Sequence, residues 1–273
     1  DRPEVKICSP VSGEVAEVKR GAKRKILAIL ILADSDITYA DHGAFSFSGG
    51  TREAAEAHFG ATGVGAFITS RPYGFAASMS EKPRAIFVNG IQSGPLAGDL
   101  AYQLTGKEKS IVTAVKALKL MTEGTVYVSH DADQAPIEAL QSLEATHITF
   151  SGKHPKGLVG TQIAQTAPLN KGEIVWTVNA IDLPTIGAAF ETGEYRPEYR
   201  VTVAGSKVMN AGYATALQGV SLAQFLSANV NTDNTRVIAG DVLTGSKIEN
   251  DGFLSFGQSQ LTAIPEGNTT EFF

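Results

Sequence analysis

The residues best suited to chemistry in this 273-residue chain sit in two glycine-punctuated stretches. The first is Phe67-Ile68-Thr69-Ser70-Arg71-Pro72-Tyr73-Gly74. Aromatic faces stack on planar rings, and a guanidinium hydrogen-bonds a carbonyl or a phosphate. Phe67, Arg71, Pro72 and Tyr73 are therefore candidates for contact with a flat ligand. A plainer role suits the same residues, with Phe67 and Tyr73 packing the core and Arg71 capping a helix. The second stretch is Gly152-Lys153-His154-Pro155-Lys156-Gly157. Its glycines have P-loop spacing, yet Leu158-Val159 stand where that motif needs Lys and then Ser or Thr. It reads as a strand-to-helix connection, with Lys153, His154 and Lys156 as candidates for anion or partner docking.

Other patterns exclude more than they assign. Gly63-Val64-Gly65 lacks the third glycine of a dinucleotide fingerprint, because Ile68 holds that place. The five histidines show neither His-x-x-x-His spacing nor a neighbouring cysteine pair. A metal site would have to be assembled through the fold. His130-Asp131-Ala132-Asp133 follows a strand end, where α/β proteins bind ligands, although solvated loop carboxylates are the commoner explanation. No Gly-x-Ser-x-Gly elbow is present. Cys8 is the sole cysteine, so an intrachain disulfide and multi-cysteine metal or iron–sulfur sites are excluded. A reducing setting and an inert, buried thiol fit that usage. Lys19, Arg20, Lys23, Arg24 and Lys25 crowd one turn. That turn is a solvated hairpin tip or a docking surface for an acidic partner or anionic headgroups. The net charge of -5 gives no basic signal for nucleic acid.

The elements that must position these groups follow from periodicity. Residues 5–33 read as three short strands, a module too small to stand alone. Its apolar run Ile26–Ala33 is far shorter than the roughly 20 residues of a spanning helix. Residues 34–51 read as a linker. A helix is predicted over 52–59, stopped by Gly60. From 84 to 204 strands alternate with helices: strands at 85–89, 125–128, 147–150 and 174–178, and helices capped by Ser110 or opened by Pro136 and Pro184. That rhythm predicts a largely parallel sheet with helices on its faces. Beyond 199, a strand, a short helix capped by Ser221 and a strand at 236–242 suggest a small α+β module. A hydrophobic content of 43% and a charged content of 19% fit a globular chain with a real core. The missing initiator Met and the abrupt ends suggest an interior piece of a longer protein.

Several segments together resemble one family. "SPVSGEVAEVKRGAKR", "TSRPYG", "PRAIFVNGIQSGPLAGD", "GKHPKGLVGTQI", "VWTVNAIDLPTIGAAFETGEY", "RVIAGDVLTG" and "IPEG" occur in the order found in the A subunit of Na+-translocating NADH:quinone reductases. The resemblance implies a β-rich biotinyl/lipoyl-like (barrel-sandwich) segment with linker at 1–50. A Rossmann-like α/β domain at 51–199 and a ubiquitin-like β-grasp (SLBB-type) module at 200–273 would follow. It also implies similarity in fold to the NADH-binding flavoprotein subunit of complex I. That relative uses a glycine- and arginine-rich flavin loop and a cysteine cluster. Here the corresponding stretch is "GVGAFITSRPYG", with one cysteine in the whole chain. The fold is then expected without its redox chemistry. The implied role is a subunit peripheral to the cytoplasmic face of the bacterial inner membrane, docked on membrane subunits and contributing to a ubiquinone site. The fragment itself would bind no cofactor and catalyse nothing alone. Other subunits would hold the NADH, flavin, iron–sulfur, ubiquinone and Na+ chemistry. Two further readings stay open: a flavin- or NADH-binding oxidoreductase subunit in its own right, and a small-ligand-binding β-grasp module.

Overall fold

The computed structural model describes residues 5–249 and 251–268. Val5-Lys6-Ile7, expected as a first strand, is irregular, and Cys8 instead sits half-buried with its thiol against Gly63. The first regular element is an antiparallel hairpin of β1 (Gly13–Arg20) and β2 (Ile26–Ala33), with register Val15↔Ile31 and Val18↔Ile29. No residue of either strand is buried. Val15, Val18, Leu27 and Ile29 are all exposed to solvent.

The α/β rhythm builds a six-stranded sheet. Its elements are α1 (Arg52–Thr62), β3 (Thr69–Arg71), β4 (Phe75–Ala76) and β5 (Ala85–Asn89). Next come α2 (Leu100–Leu104), α3 (Glu108–Leu120), β6 (Thr125–Asp131) and α4 (Glu138–Gln141). β7 (Thr146–Phe150), α5 (Val159–Thr166), β8 (Val175–Asn179) and α6 (Leu183–Thr192) complete it. The strand order is β4-β3-β8-β5-β6-β7. The last four strands are parallel, and β3 and β4 add an antiparallel edge. Strands buried on both faces read as unbroken apolar runs, and β5 and β8 largely do. Ile86, Val88 and Trp176 pack into the main core with α1, α3 and α6. Ala85, Phe87 and Val175 pack on the other face against Val159 and Ile163 of α5.

Three helix boundaries in this part of the chain differ from expectation: Pro136 does not open α4, which starts at Glu138 after an extended Ile137 N-cap, and two others differ for identifiable reasons. Gly60 does not stop α1; the helix runs to Thr62 and ends where Gly63 takes φ 75°. A left-handed C-cap, rather than a glycine in the helix body, is what terminates it. Ser110 lies inside α3, whose N-cap is Lys107, and its hydroxyl donates to Glu191 Oε2 on α6. The segment 34–51 is irregular but not idle: Phe45 and Phe47 pack on Phe190, and His58 joins them.

The remaining chain forms a second mixed sheet from β9 (Glu198–Ala204), β10 (Gly212–Leu217), β11 (Thr235–Ala239), β12 (Ser246–Ile248) and β13 (Gln260–Pro265). α7 (Ala223–Asn229) lies between β10 and β11 and starts after Leu222, because Ser221 bridges to Phe253 instead of capping it. The order is β10-β9-β13-β11-β12, with β9 and β13 parallel and the other pairs antiparallel. This sheet is tied to the first. Gln103 Nε2 donates to Arg200 O at 2.8 Å, Arg200 donates to Tyr102 O at 2.7 Å, and the Asp99 amide donates to Tyr213 Oη at 2.7 Å. Among the described residues no helix is long and apolar enough to cross a membrane.

Candidate functional site

From β5 the chain moves outward to β6 and β7, then returns to place β8 on the opposite side of β5. The loops leaving the carboxyl ends of β5 and β8 therefore diverge, and such a switch point opens a crevice. A cleft of about 230 Å³ lies there. Asn89 and Asn179 mark the two strand ends, while Asp241, Thr244 and Gln258 of the second sheet's loops close it from above. It merges through Gln92, Ser93, Gly94 and His154 with an open groove of about 700 Å³ that also holds Lys153 and Lys156.

Asn89 organises the floor. Its Oδ1 accepts the Ile91 amide at 3.2 Å and Gln162 Nε2 at 2.9 Å, and its Nδ2 donates to Gly157 O at 2.9 Å. The Gly157 amide donates to Ser93 Oγ at 3.0 Å, and Ser93 Oγ lies 3.1 Å from His154 Nδ1. Two loops distant in sequence, 90–97 and 152–158, are thus pinned together over one strand end. On the opposite wall Asp241 Oδ1 accepts the Leu243 and Thr244 amides at 2.7 and 3.0 Å, and Oδ2 accepts Thr244 Oγ1 at 2.7 Å. Burial works to raise the Asp241 carboxyl, but these hydrogen bonds outweigh it and hold the group below the usual range. Gly94 must be small here, because a side chain would run into the Asp241 carboxylate.

Of the two lysines in the groove, Lys153 is exposed and Lys156 is paired. Lys156 Nζ donates to Asp131 Oδ1 at 2.6 Å and to Asp133 Oδ2 at 2.8 Å. The bond to Asp131, then that to Asp133, raises the Lys156 ammonium above its ordinary value. The bond from Lys156 in turn lowers Asp133. His130 Nε2 lies 2.7 Å from His147 Nδ1, and His147 Nε2 lies 3.0 Å from Leu143 O. Burial, and then the neighbouring His147, lowers His130. Beside the cleft, Asp182 is buried and accepts Tyr199 Oη–H at 2.8 Å. Burial pushes its carboxyl up to about 7, against the opposing hydrogen bonds from Tyr199 and Asn179.

The structure separates the residues of the 67–74 stretch. Phe67 is buried and stacks on Phe256 of the following module at 4.8 Å. Arg71 ends β3, next to the edge strand β4, with its Nε buried and without a hydrogen-bond partner among the described residues. Tyr73 is 74% exposed and stacks on the exposed Phe75 at 6.4 Å. Phe67 and Tyr73 therefore do not face one ligand; Arg71, Pro72 and Tyr73 share the β3–β4 tip, while Phe67 belongs to the core. Lys19, Arg20, Lys23 and Arg24 sit on the exposed turn of the β1–β2 hairpin. Lys153 and His154 line the groove. Among the described residues no group of three or more His, Cys, Asp or Glu side chains is placed to hold a metal.

This architecture matches known protein families along its length. Residues 50–195 match the NqrA second alpha/beta domain. The chain belongs to the NqrA family. Residues 1–34 match the NqrA N-terminal barrel-sandwich hybrid domain and residues 200–250 the NqrA C-terminal domain. The A subunit of the Na(+)-translocating NADH-quinone reductase of Vibrio vulnificus (strain YJ016) is 30% identical over 99% of this chain and 61% of its own length. The corresponding subunit of Yersinia pestis bv. Antiqua (strain Angola) is 28% identical over the same shares. The chain thus spans about three fifths of these relatives. In fold it is similar to an NAD+-reducing [NiFe]-hydrogenase in the air-oxidized state, with a TM-score of 0.54, 13% identity, and coverage of 84% of this chain and 52% of that one. In this NqrA-family chain the match to the second domain carries the cleft floor, and the match to the C-terminal domain supplies Gly240, Asp241 and Thr244 above it.

A phosphate-bearing cofactor fits this cleft poorly. Its inner wall presents the Asp241 carboxylate, and Lys156 in the adjoining groove is already bound to two carboxylates. An added phosphate would meet a negative group without an uncommitted buried cation opposite it. No motif singles out Asn89, Ser93 or Asp241, although "PRAIFVNGIQSGPLAGD" and "RVIAGDVLTG" contain them.

Proposed function

We propose that this chain works as the A subunit of a Na+-translocating NADH:quinone reductase, docked on membrane subunits and contributing Arg71, Pro72 and Tyr73 to a ubiquinone contact. The observation that carries the quinone assignment is the β3–β4 tip, where the exposed Tyr73 and Phe75 rings stack beside the end of Arg71's strand. A stacked aromatic surface next to a guanidinium suits a flat dicarbonyl ring. In this reading the chain divides at about 50 and 199. The parallel strands form a Rossmann-like layer like that of the complex I flavoprotein, and the mixed sheet with its parallel central pair is a β-grasp. The subunit is peripheral on the cytoplasmic face of the bacterial inner membrane. It binds no redox cofactor; NADH, flavin, iron–sulfur and Na+ chemistry resides in its partners. The single cysteine and the pairing of Lys156 with two carboxylates support this.

The basic turn is the docking candidate, with Lys19, Arg20, Lys23 and Arg24 exposed. Reconstitution of the reductase from a complex lacking this subunit tests the role. The chain is expected to join the complex, and Lys23→Glu/Arg24→Glu to weaken assembly at least tenfold while its Tm is unchanged. Unchanged assembly of the double variant would remove the turn from the interface, and failure of the wild-type chain to join would remove the docking role. A flavin band in the visible spectrum of the purified chain would overturn the cofactor-free reading.

A further inference from the structure

The switch-point cleft has the features of a small-molecule site that the docking role does not use. At about 230 Å³ it falls below the roughly 300 Å³ where drug-sized pockets begin, and it opens into the wider groove. Its apolar surfaces are aliphatic: Ile91 and Leu100 are 3% and 7% exposed, Ile181 is 8% exposed, and Leu158 is an exposed part of the lining. Amide side chains surround these surfaces. The Gln258 amide lines the cleft and has no side-chain hydrogen-bond partner among the described residues. Gln260 donates through Nε2 to Pro95 O at 3.1 Å, and among the described residues no hydrogen bond is made to its Oε1. Asp241 accepts three hydrogen bonds, which leaves about one of its four lone-pair sites. That acceptor is held ionised within the cleft wall.

Each feature narrows the ligand. Aliphatic walls with amides at their margin suit a flat heterocycle whose edge hydrogen-bonds and whose faces need only apolar contact. An ionised carboxylate accepts hydroxyl protons, the recognition that α/β switch-point sites use for ribose. The same carboxylate repels phosphate; of the groove's two lysines Lys156 is neutralised by Asp131 and Asp133, and Lys153 is exposed to solvent outside the cleft lining. We propose that the cleft binds a neutral nucleoside-sized ligand, with the ring between Ile91 and Ile181, its edge read by Gln258, and its sugar hydroxyls on Asp241. Selectivity runs against the phosphorylated form, opposite to that of a nucleotide site.

Calorimetric titration of the full chain with adenosine, and separately with AMP, tests this. Adenosine is expected to bind saturably and AMP at least tenfold more weakly. Gln258→Leu removes an amide without a side-chain partner, and it is expected to weaken adenosine tenfold or more with unchanged Tm. Asp241→Asn keeps the Oδ1 acceptor of the 241–244 turn, and it is expected to narrow the adenosine-to-AMP ratio to below threefold. Absence of saturable adenosine binding, AMP binding as tight as adenosine, or full affinity in Gln258→Leu would each overturn the proposal. None of these outcomes bears on assembly with the reductase, so the two readings fail separately.

Discussion

Asp182 carries a strongly displaced carboxyl, and its pH dependence has a definite sign. Burial raises it from 3.8 to about 7. Between those values the folded chain holds a proton that the unfolded chain has released, so stability falls as pH rises through the window. Each pH unit costs about 1.4 kcal/mol, or roughly 4 kcal/mol across the window as an upper bound. Asp182→Asn keeps an acceptor for Tyr199 and has no proton to lose. Its Tm is expected to gain steadily on that of the wild type as pH rises from about 4 to 7; parallel curves for the two proteins would contradict a raised Asp182 carboxyl. Asn89 permits a second test. Asn89→Ala strands the Ile91 amide and the Gly157 carbonyl, while Gln162 Nε2 keeps Lys156 O. Each stranded buried group costs about 1–3 kcal/mol, so denaturant unfolding should register a loss of about 2–6 kcal/mol. At this scale the sequence is only partly legible. Type and spacing find Lys153, His154 and Lys156, which do line the groove, but Lys156 is consumed by Asp131 and Asp133. Charge pairing across 23 and 25 residues leaves no local pattern. The pairing of Ser93 with His154, 61 residues apart, is equally silent in sequence.

At the scale of elements, periodicity serves where burial is one-sided or complete. The apolar runs at 85–89, 125–128 and 174–178 fall on strands of a sheet covered on both faces. It fails for β3 and β4, which have three and two residues and no room for a repeat. The pairing of Ser70 with Trp176, set by tertiary position, makes β3 a strand. Assuming a side-chain cap misplaces two helix starts, since Ser110 and Ser221 are engaged elsewhere. Gly187 reports the close approach of α3 and α6. A Cβ there would overlap the Ser110 carbonyl, which is backbone and cannot swing aside. Glycine to alanine inside a helix ordinarily gains up to about 1 kcal/mol. Gly187→Ala is expected to reverse that sign and cost about 1–3 kcal/mol, as overpacking does. A Tm equal to or above wild type would show that the helices can separate without penalty.

At the scale of the molecule, the two larger sheets are fastened together and the N-terminal hairpin is not. Polar ties from Gln103, Arg200 and Tyr213 join the sheets around the cleft. The hairpin strands contribute no buried residue. Ser12 O accepts the Asp34 amide at 3.0 Å, so the two ends of the hairpin are already adjacent. Excising residues 13–33 and joining Ser12 to Asp34 should change stability by less than about 1 kcal/mol, or about 2–4 °C in Tm. A larger loss on thermal melting would mean that the hairpin supports the core. Family membership rests on the order of segments across the whole chain, which is why it is legible when no single motif is decisive. The proposed quinone contact is open to direct measurement. Trp176 is the only tryptophan, is fully buried, and pairs on β8 with Ser70, next to Arg71. A soluble ubiquinone analogue should therefore be titrated while Trp176 fluorescence is followed in the wild type, Arg71→Ala and the exposed-site variant Tyr73→Ala. Saturable quenching that both variants weaken at least tenfold is the expected result; no saturation, or equal quenching in all three, would contradict a quinone contact at the β3–β4 tip.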